Sequence, residues 1–153
     1  MSAWVLPLVA LDAARVTAPE RSEPILDYLN EPGAGGIDLD LTVELNGHVI
    51  SRPSFREMYW TAAQQLAHMT VNGASLRTGD LYASGTVSGP DPGQRGSFIE
   101  LTWNGRDPLA LPDGSTRTFL DDGDEVRLTA TAPGASGGKV ALGDVTGQVH
   151  PTP

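Results

Sequence analysis

The sequence predicts an α+β fold that is mainly β, with one principal helix at about residues 54–71. Three observations lead to this prediction. Gly and Pro contribute 18 and 12 of the 153 residues, and they divide the chain into segments of the length that strands and turns have. Apolar residues alternate with polar ones in one stretch and recur at helical spacing in another. With 39% apolar and 19% charged residues and no internal repeat, the chain has the composition of one globular domain.

The first 36 residues have no clean periodicity. They contain four prolines and the run Gly33-Ala34-Gly35-Gly36. Because so long an irregular segment is uncommon within a compact domain, we expect residues 1–36 to lie across other structure as a lead-in. The β-rich core is then expected over residues 37–153.

The first regular element is a strand over residues 37–45, where five apolar residues alternate with polar ones. Asn46-Gly47 follows it, and this pair favours a type I′ hairpin turn. Residues 48–51 are therefore predicted to return as the second strand of a hairpin.

The principal helix is predicted to begin at Ser54, because Ser54 and Glu57 have the spacing of a capping box. Asn72-Gly73 favours its end, since both residues tolerate a left-handed conformation. An apolar stripe at three- and four-residue spacing is expected to face the core; it consists of Phe55, Met58, Tyr59, Ala62, Leu66 and Met69.

Short strands are predicted again after residue 79, separated by the turn-forming pairs Asn104-Gly105, Asp113-Gly114 and Asp122-Gly123. Together with the hairpin they indicate a β-roll or barrel-like sheet system with one helix packed against it. The predicted ranges are 80–86, 97–103, 116–120, 125–131 and 140–149.

Composition excludes several classes of function. The net charge of −9 argues against a nucleic-acid partner, because an acidic surface repels phosphates. No apolar run approaches the roughly 20 residues that cross a bilayer, so no membrane partner is expected. The chain has no cysteine, which excludes disulfides, thiolate catalysis and zinc–sulfur sites. A cytoplasmic location fits these features.

The polar residues give few chemical signals by themselves. His48, His68 and His150 are interpreted as surface, structural or interface residues. Asp38 and Asp40 are either a carboxylate pair or the polar face of a strand, and the segment 121–124 is interpreted as a solvated turn. The Gly-rich segment 84–90 could be a backbone-lined rim that presents Thr86 to a ligand.

Glu100 is the most informative carboxylate. In a strand over 97–103 it would share a face with Phe98 and Thr102, where partial burial could perturb its pKa or let it orient a base. An exposed strand position remains the alternative interpretation.

Long segments resemble the fumarylacetoacetase family. Residues 56–73 are similar to that family's helix, with the patterns M-Y-W-T, Q-Q-L-x-H and V-N-G. Residues 76–90 resemble its L-R-x-G-D-L-x-A-S-G-T-I-S-G-P, and residues 120–126 its L-x-D-G-D-E-V. The match continues through Gly96-Ser97, Glu100-Leu101, Trp103 and Gly105, and residues 2–7 resemble S-P-W-V-x-P with Ala3 in place of Pro.

The resemblance implies the C-terminal part of a β-roll hydrolase that cleaves a carbon–carbon bond of 4-fumarylacetoacetate, giving fumarate and acetoacetate in tyrosine and phenylalanine breakdown. It implies Mg²⁺ or Ca²⁺ as a Lewis acid and a His–Glu pair as general base. By position in the motifs, Glu100 would be the Glu of that pair and Thr86 would contact the diketo-acid substrate. A cytoplasmic homodimer is also implied.

Other family residues fall before Met1 in the resemblance: the dyad His, the carboxylate metal ligands and the substrate-binding Arg and Tyr residues. We therefore expect no metal ligands in this chain and no activity without the N-terminal half. A truncated gene product, one part of a split polypeptide and an excised domain would each fit. The alternatives are a non-catalytic oligomerisation or binding module on this fold, or another β-diketone or acylpyruvate hydrolase.

Overall fold

A computed structural model of the chain describes residues 2–152. In this range the strands are β1 (Arg15–Val16), β2 (Gly36–Ile37), β3 (Asp40–Leu45), β4 (His48–Ser51), β5 (Leu109–Ala110), β6 (Thr116–Arg117), β7 (Glu125–Pro133) and β8 (Lys139–Gln148). The α-helices are α1 (Ala62–Thr70) and α2 (Phe98–Leu101). Short 3₁₀ helices cover Leu8–Ala14, Asp27–Leu29, Phe55–Glu57, Pro92–Gln94 and Ala135–Gly137. None of the helices described is long and apolar enough to span a membrane.

An antiparallel four-stranded sheet organises the fold, in the order β4-β3-β7-β8. Strand β3 pairs with β7 from Asp40 opposite Thr131 to Leu45 opposite Val126. Two small ribbons, β1-β2 and β5-β6, accompany this open sheet. The prediction of a mainly β fold with few helices is confirmed.

The predicted hairpin is confirmed between β3 and β4. Asn46 and Gly47 have φ angles of 50° and 77°, the positive values that both central residues of a type I′ turn require. Ile37, Leu39 and Leu45 are buried, because alternate side chains in an extended segment lie on the same face.

Part of the irregular lead-in belongs to the core of this chain. Leu11 and Ala14, from the 3₁₀ helix Leu8–Ala14, pack with Ile37, Leu39 and Ala132. The missing α or β periodicity in this region is explained by that 3₁₀ helix, whose three-residue turn gives neither pattern. Closer to the start, Leu6 packs against this cluster, whereas Trp4 and Val5 are 82% and 93% exposed.

The predicted start of the principal helix at Ser54 is wrong. Ser54 forms an isolated bridge with Asp40, and the Phe55 amide donates to the Leu39 carbonyl at 2.9 Å. These bonds hold the chain extended beside the sheet, so only a 3₁₀ turn follows at Phe55–Glu57. The capping box lies at the start of α1, where Thr61 accepts from the Gln64 amide and Gln64 bonds back to the Thr61 amide.

The two ends of α1 therefore differ in outcome. Its end is as predicted, because Gly73 has φ 88° and its amide donates to the Thr70 carbonyl. The apolar stripe, however, does not face the core along α1, although Phe55, which precedes the helix, packs against that core. Met69 is more than half exposed, while the polar Gln64 is the buried residue of the helix.

The later strands are partly as predicted. Those at 125–131 and 140–149 are confirmed as β7 and β8, whereas 116–120 is reduced to the two-residue β6. The strand predicted at 80–86 is wrong, since this segment belongs to none of the sheets in the described chain. Residues 97–103 are not a strand either: their central part is α2, which the Ser97 hydroxyl caps by accepting from the Glu100 amide.

Candidate functional site

A cavity of about 670 Å³ opens between the residues that precede α1 and the segment 84–100. The segment 57–60 and Gln65 form one wall, and Ser84, Thr86, Ser88, Ser97 and Glu100 form the other. Both site residues predicted from the sequence, Glu100 and Thr86, thus line the same cavity.

Glu100 is half-buried, and two hydroxyl groups bind one of its oxygens. Ser88 Oγ donates to Glu100 Oε2 at 2.7 Å, and Ser97 Oγ donates to the same oxygen at 2.9 Å. In the described part of the chain, neither a hydroxyl nor a guanidinium group donates to Oε1. Glu100 therefore keeps one oxygen as an acceptor for another group.

These contacts keep Glu100 ionised. The hydrogen bond from Ser88 is the largest cause of a lowered pKa at Glu100, because it stabilises the charged form. The Ser97 hydroxyl, the nearby Gly96 amide and the positive charge of Arg95 lower the pKa further, whereas partial burial raises it. At neutral pH the side chain is thus a negatively charged acceptor.

The α2 helix changes the surroundings that we predicted for Glu100. In a strand, Glu100 would share a face with Phe98 and Thr102. In the helical turn it lies instead on the side of Ser97, three residues earlier, and Thr102 Oγ1 bonds to the Phe98 carbonyl. The cavity-facing position of Glu100 therefore arises from helical geometry, not from the strand geometry predicted.

Thr86 lies on the opposite side of the Ser84–Ser88 loop from the core. It is exposed, while the next residue, Val87, is buried and anchors the loop. Gly85 has φ 78°, a left-handed conformation that Gly adopts without strain. Thr86 consequently lies at the rim of the cavity.

An aromatic pair forms the wall between this cavity and a second one. Tyr59 and Trp60 pack edge to face with ring centroids 4.9 Å apart. The Arg21 guanidinium lies 5.3 Å from each ring centroid and donates to the Tyr59 carbonyl and to Gln64 Oε1. Arg21 thus fixes the aromatic wall to α1.

The second cavity, of about 410 Å³, lies behind the aromatic wall and is lined mainly by apolar residues of the segment 23–29. His68 from α1 reaches it, and its Nδ1 is 2.9 Å from the Tyr28 hydroxyl. The two rings are stacked with centroids 6.3 Å apart. His68 thus joins α1 to the lead-in segment, which agrees with the structural role favoured from the sequence.

The carboxylates do not assemble into a metal site. Within residues 2–152, no three Asp, Glu, His or Cys side chains lie close enough together to hold an ion. Asp38 forms an ion pair with Arg56 at 3.8 Å, and Asp40 is an exposed residue of β3. The donor set of the described chain therefore does not fit the Mg²⁺ or Ca²⁺ that the resemblance implies.

The interpretation of residues 121–124 as a solvated turn is wrong for one residue. Asp121 and Asp122 are exposed, but Asp124 is only 2% exposed. Arg117 binds both oxygens of Asp124, at 2.9 Å from Nε to Oδ2 and 3.0 Å from Nη2 to Oδ1. Asn46 Nδ2 and the Asp121 amide supply two further hydrogen bonds, so this carboxylate stabilises the fold.

The sequence profile of the family described as fumarylacetoacetate (FAA) hydrolase C-terminal matches residues 1–149. The match covers almost the whole chain. The chain belongs to this family.

The relatives include proteins named fumarylacetoacetase. The one from Arabidopsis thaliana is 43% identical over 159 aligned positions, covering 100% of this chain and 37% of the relative. Those from Homo sapiens and Mus musculus are each 43% identical, covering 99% of this chain and 37% of their own length. The chain thus spans little more than a third of the relatives that it matches.

Sequence reasoning missed the two serines at Glu100. Ser97 and Glu100 have the S-x-x-E spacing of a capping box, which could have revealed the helical turn. The same pattern at Ser54 and Glu57 starts no α-helix, because pairing of Ser54 with Asp40 holds the chain extended there. No local signal indicated Ser88, because its contact with Glu100 depends on the path of the intervening chain.

Proposed function

We propose that this chain supplies one side of the active site of a fumarylacetoacetase. The reaction is hydrolysis of a carbon–carbon bond of 4-fumarylacetoacetate to fumarate and acetoacetate. The observation that carries the proposal is the ionised Glu100, which faces a cavity beside Thr86 and keeps Oε1 as an acceptor. Membership of the FAA hydrolase C-terminal family supports this choice of reaction.

Glu100 acts through a general base in this proposal. Its Oε1 accepts an N–H from a histidine that the resemblance assigns to the part of the relatives not spanned by this chain. The negative charge then fixes the orientation of the imidazole and stabilises the imidazolium that forms when the histidine takes a proton from water.

The remaining steps conserve atoms and charge. The oxygen of that water adds to the ketone carbon next to the fumaryl double bond, and the carbon–carbon bond to the acetoacetyl methylene group breaks. The acetoacetyl part leaves as a carbanion and accepts the proton that the histidine took from water, and the fumaryl part is released as a carboxylate once the second water proton passes to solvent. The Thr86 hydroxyl donates a hydrogen bond to a substrate carboxylate, and this contact orients the bond to be cleaved.

Several features of the complete enzyme are part of the proposal. We expect a homodimer in the cytoplasm that acts in tyrosine and phenylalanine breakdown and uses Mg²⁺ or Ca²⁺. No ligand role is assigned to the residues of this chain, because its described carboxylates do not converge. The partner of this chain is the part of the enzyme that corresponds to the N-terminal remainder of the relatives.

Complementation tests the proposal. The purified chain is mixed with the N-terminal remainder of the Arabidopsis relative and with Mg²⁺, and loss of the ultraviolet absorbance of the diketone is followed. Activity is expected from the mixture and from neither part alone. A folded, associated mixture that leaves 4-fumarylacetoacetate intact would contradict the proposal.

The same mixture separates the alternatives. Turnover of an acylpyruvate in place of 4-fumarylacetoacetate would indicate another hydrolase of the wider superfamily. Association without turnover of either substrate would favour a non-catalytic binding module.

A further inference from the structure

The two hydroxyl groups at Glu100 come from different parts of the chain and meet at one atom. Ser88 follows the loop that carries Thr86, whereas Ser97 precedes α2. Both donate to Oε2, at 2.7 and 2.9 Å. A carboxylate oxygen has two acceptor sites, so the two hydroxyl groups together fill those of Oε2.

The hydrogen of each hydroxyl is directed by a backbone amide. The Gly96 amide donates to Ser88 Oγ at 3.0 Å, and the Glu100 amide donates to Ser97 Oγ at 3.4 Å. A serine hydroxyl has one hydrogen to donate. Because the amides occupy acceptor positions, each hydroxyl hydrogen remains for Glu100, and the two amide–hydroxyl–carboxylate chains polarise one another.

Gly96 allows the two serines to come together. A Cβ atom at this position would overlap the Val87 carbonyl oxygen and lie 2.9 Å from Thr86 Cγ2. The segment before α2 can therefore lie directly against the 84–88 loop only because residue 96 is Gly. Arg95 fixes the same arrangement from its other side, since its Nη1 donates to the Glu100 carbonyl at 3.2 Å.

We propose that Ser88 and Ser97 are positioning residues that hold Oε2 of Glu100 and thereby aim Oε1 at the general base. This inference rests on the proposed function of Glu100. It assigns neither serine a contact with the substrate or with the reacting atoms. Without them, the Glu100 carboxylate could turn about its last bond, and neither oxygen would keep a fixed direction towards the general base.

A purely structural role would give a different result for each serine. Ser97 also caps a helix of only four residues, so Ser97→Ala removes a cap as well as a hydrogen bond to Glu100. Ser88 caps no helix, and its hydroxyl joins Gly96 to Glu100 alone. A change in the pKa of Glu100 therefore reports loss of the hydrogen bond, and a change in kcat at constant KM reports loss of positioning.

The test compares Ser88→Ala and Ser97→Ala with Ser115→Ala. Ser115 is the matched control, because its hydroxyl also donates to a carboxylate, that of Asp113 at 2.7 Å, but in an exposed turn outside the cavity. Carbon-13 NMR titration of the complete 153-residue chain gives the pKa of the Glu100 carboxyl. We expect both cavity variants to raise it towards the ordinary value, and Ser115→Ala to leave it unchanged.

Kinetics of the complemented enzyme supply the second measurement. Each cavity variant should lower kcat about tenfold, the factor that one hydrogen bond to a charged group gives, with KM changed less than about twofold. Ser88→Thr retains the hydroxyl and should restore both the pKa and kcat. This variant also controls for misfolding of Ser88→Ala.

The outcomes distinguish the two proposals. An unchanged Glu100 pKa in both alanine variants would overturn the positioning role, whatever the activity. A lower kcat with an unchanged pKa would likewise indicate structural damage. If the complementation fails while the pKa responds, the hydrogen bonds are confirmed, and the positioning role is overturned together with the proposed function.

Discussion

Two carboxylates in different regions of this chain differ in burial and in how many of their oxygens accept hydrogen bonds from side chains. Asp124, beside the sheet, is almost fully buried, and both of its oxygens accept two hydrogen bonds. Glu100, at the cavity, is half-buried, and the two serine hydroxyls donate to Oε2 alone. Both have a lowered pKa, for Asp124 chiefly through Arg117 and for Glu100 chiefly through Ser88.

The comparison shows that a lowered pKa alone does not identify a functional carboxylate. The four hydrogen bonds of Asp124 leave neither oxygen as an acceptor for a ligand, so they stabilise the fold. The hydroxyl groups at Glu100 both bind Oε2, so they fix the side chain and leave Oε1 without a hydroxyl donor. The substitutions below test whether these two carboxylates serve stability and activity separately.

The largest effect is expected from Asp124→Ala, which should lower the free energy of unfolding by about 3 kcal/mol. The substitution leaves Arg117 and Asn46 without the acceptor that they share. Urea unfolding of the complete chain measures the change. Asp122→Ala, at an exposed position in the same turn, should change stability by less than about 0.5 kcal/mol. Equal changes in the free energy of unfolding at the two positions would contradict the structural role of Asp124.

Glu100→Gln should have the converse effect. The neutral side chain cannot stabilise an imidazolium, so turnover by the complemented enzyme should fall about 10²-fold or more. Its unfolding free energy should change by less than about 1 kcal/mol. Glu125→Gln, an exposed carboxylate of β7, should leave the rate unchanged. An unaffected rate in Glu100→Gln would exclude Glu100 from the mechanism.

Acid should reduce the contribution of Asp124 to the free energy of unfolding. Its pKa in the folded chain lies well below the ordinary value of about 3.9, so its contribution is complete above that value and is lost as the pH falls towards the folded pKa. Between about pH 6 and pH 2, the wild type should lose about 2 kcal/mol relative to Asp124→Asn. Parallel urea titrations at several pH values measure this difference, and a constant gap would contradict it.

The smallest effect is expected at the rim of the cavity. Thr86→Val removes the hydroxyl but keeps the shape of the side chain, so KM for 4-fumarylacetoacetate should rise about fivefold with kcat almost unchanged. Thr116→Val in β6 is the control outside the cavity. Initial rates over a range of substrate concentrations separate the two constants. A lower kcat with the same KM would place Thr86 in the chemical step instead.

The parts of the fold that sequence could predict are those set by local rules. Asn46-Gly47 determines the hairpin, because few other pairs adopt two positive φ angles. Gly73 likewise marks the end of α1. Ser54 gives the opposite result: its capping pattern is sound locally, yet pairing with Asp40 from the sheet overrides it. Tertiary contacts of this kind cannot be read from a single segment.

For the candidate site, the sequence indicates which residues to examine but not their geometry. The resemblance to fumarylacetoacetases indicated Glu100 and Thr86, and the structure places both at one cavity. Alternation around Glu100 suggested a strand because Ile99, Leu101 and Trp103 are apolar, although Ile99 and Trp103 are exposed in the structure. Ser88 lies beyond the reach of periodicity, since its hydroxyl meets Glu100 across twelve positions of sequence.

The pairing of Leu45 with Val126 has a consequence for the order of folding. It closes a single long loop that contains α1, α2 and the cavity. Contacts so distant in sequence form slowly, because the entropy of loop closure opposes them first. Each doubling of such a loop costs only about 0.6 kcal/mol, so insertions in the exposed stretch 72–80 should hardly affect stability. The pairing of β3 with β7 therefore closes the loop independently of its length, and the segment between these strands can vary in length while the pairing stays the same.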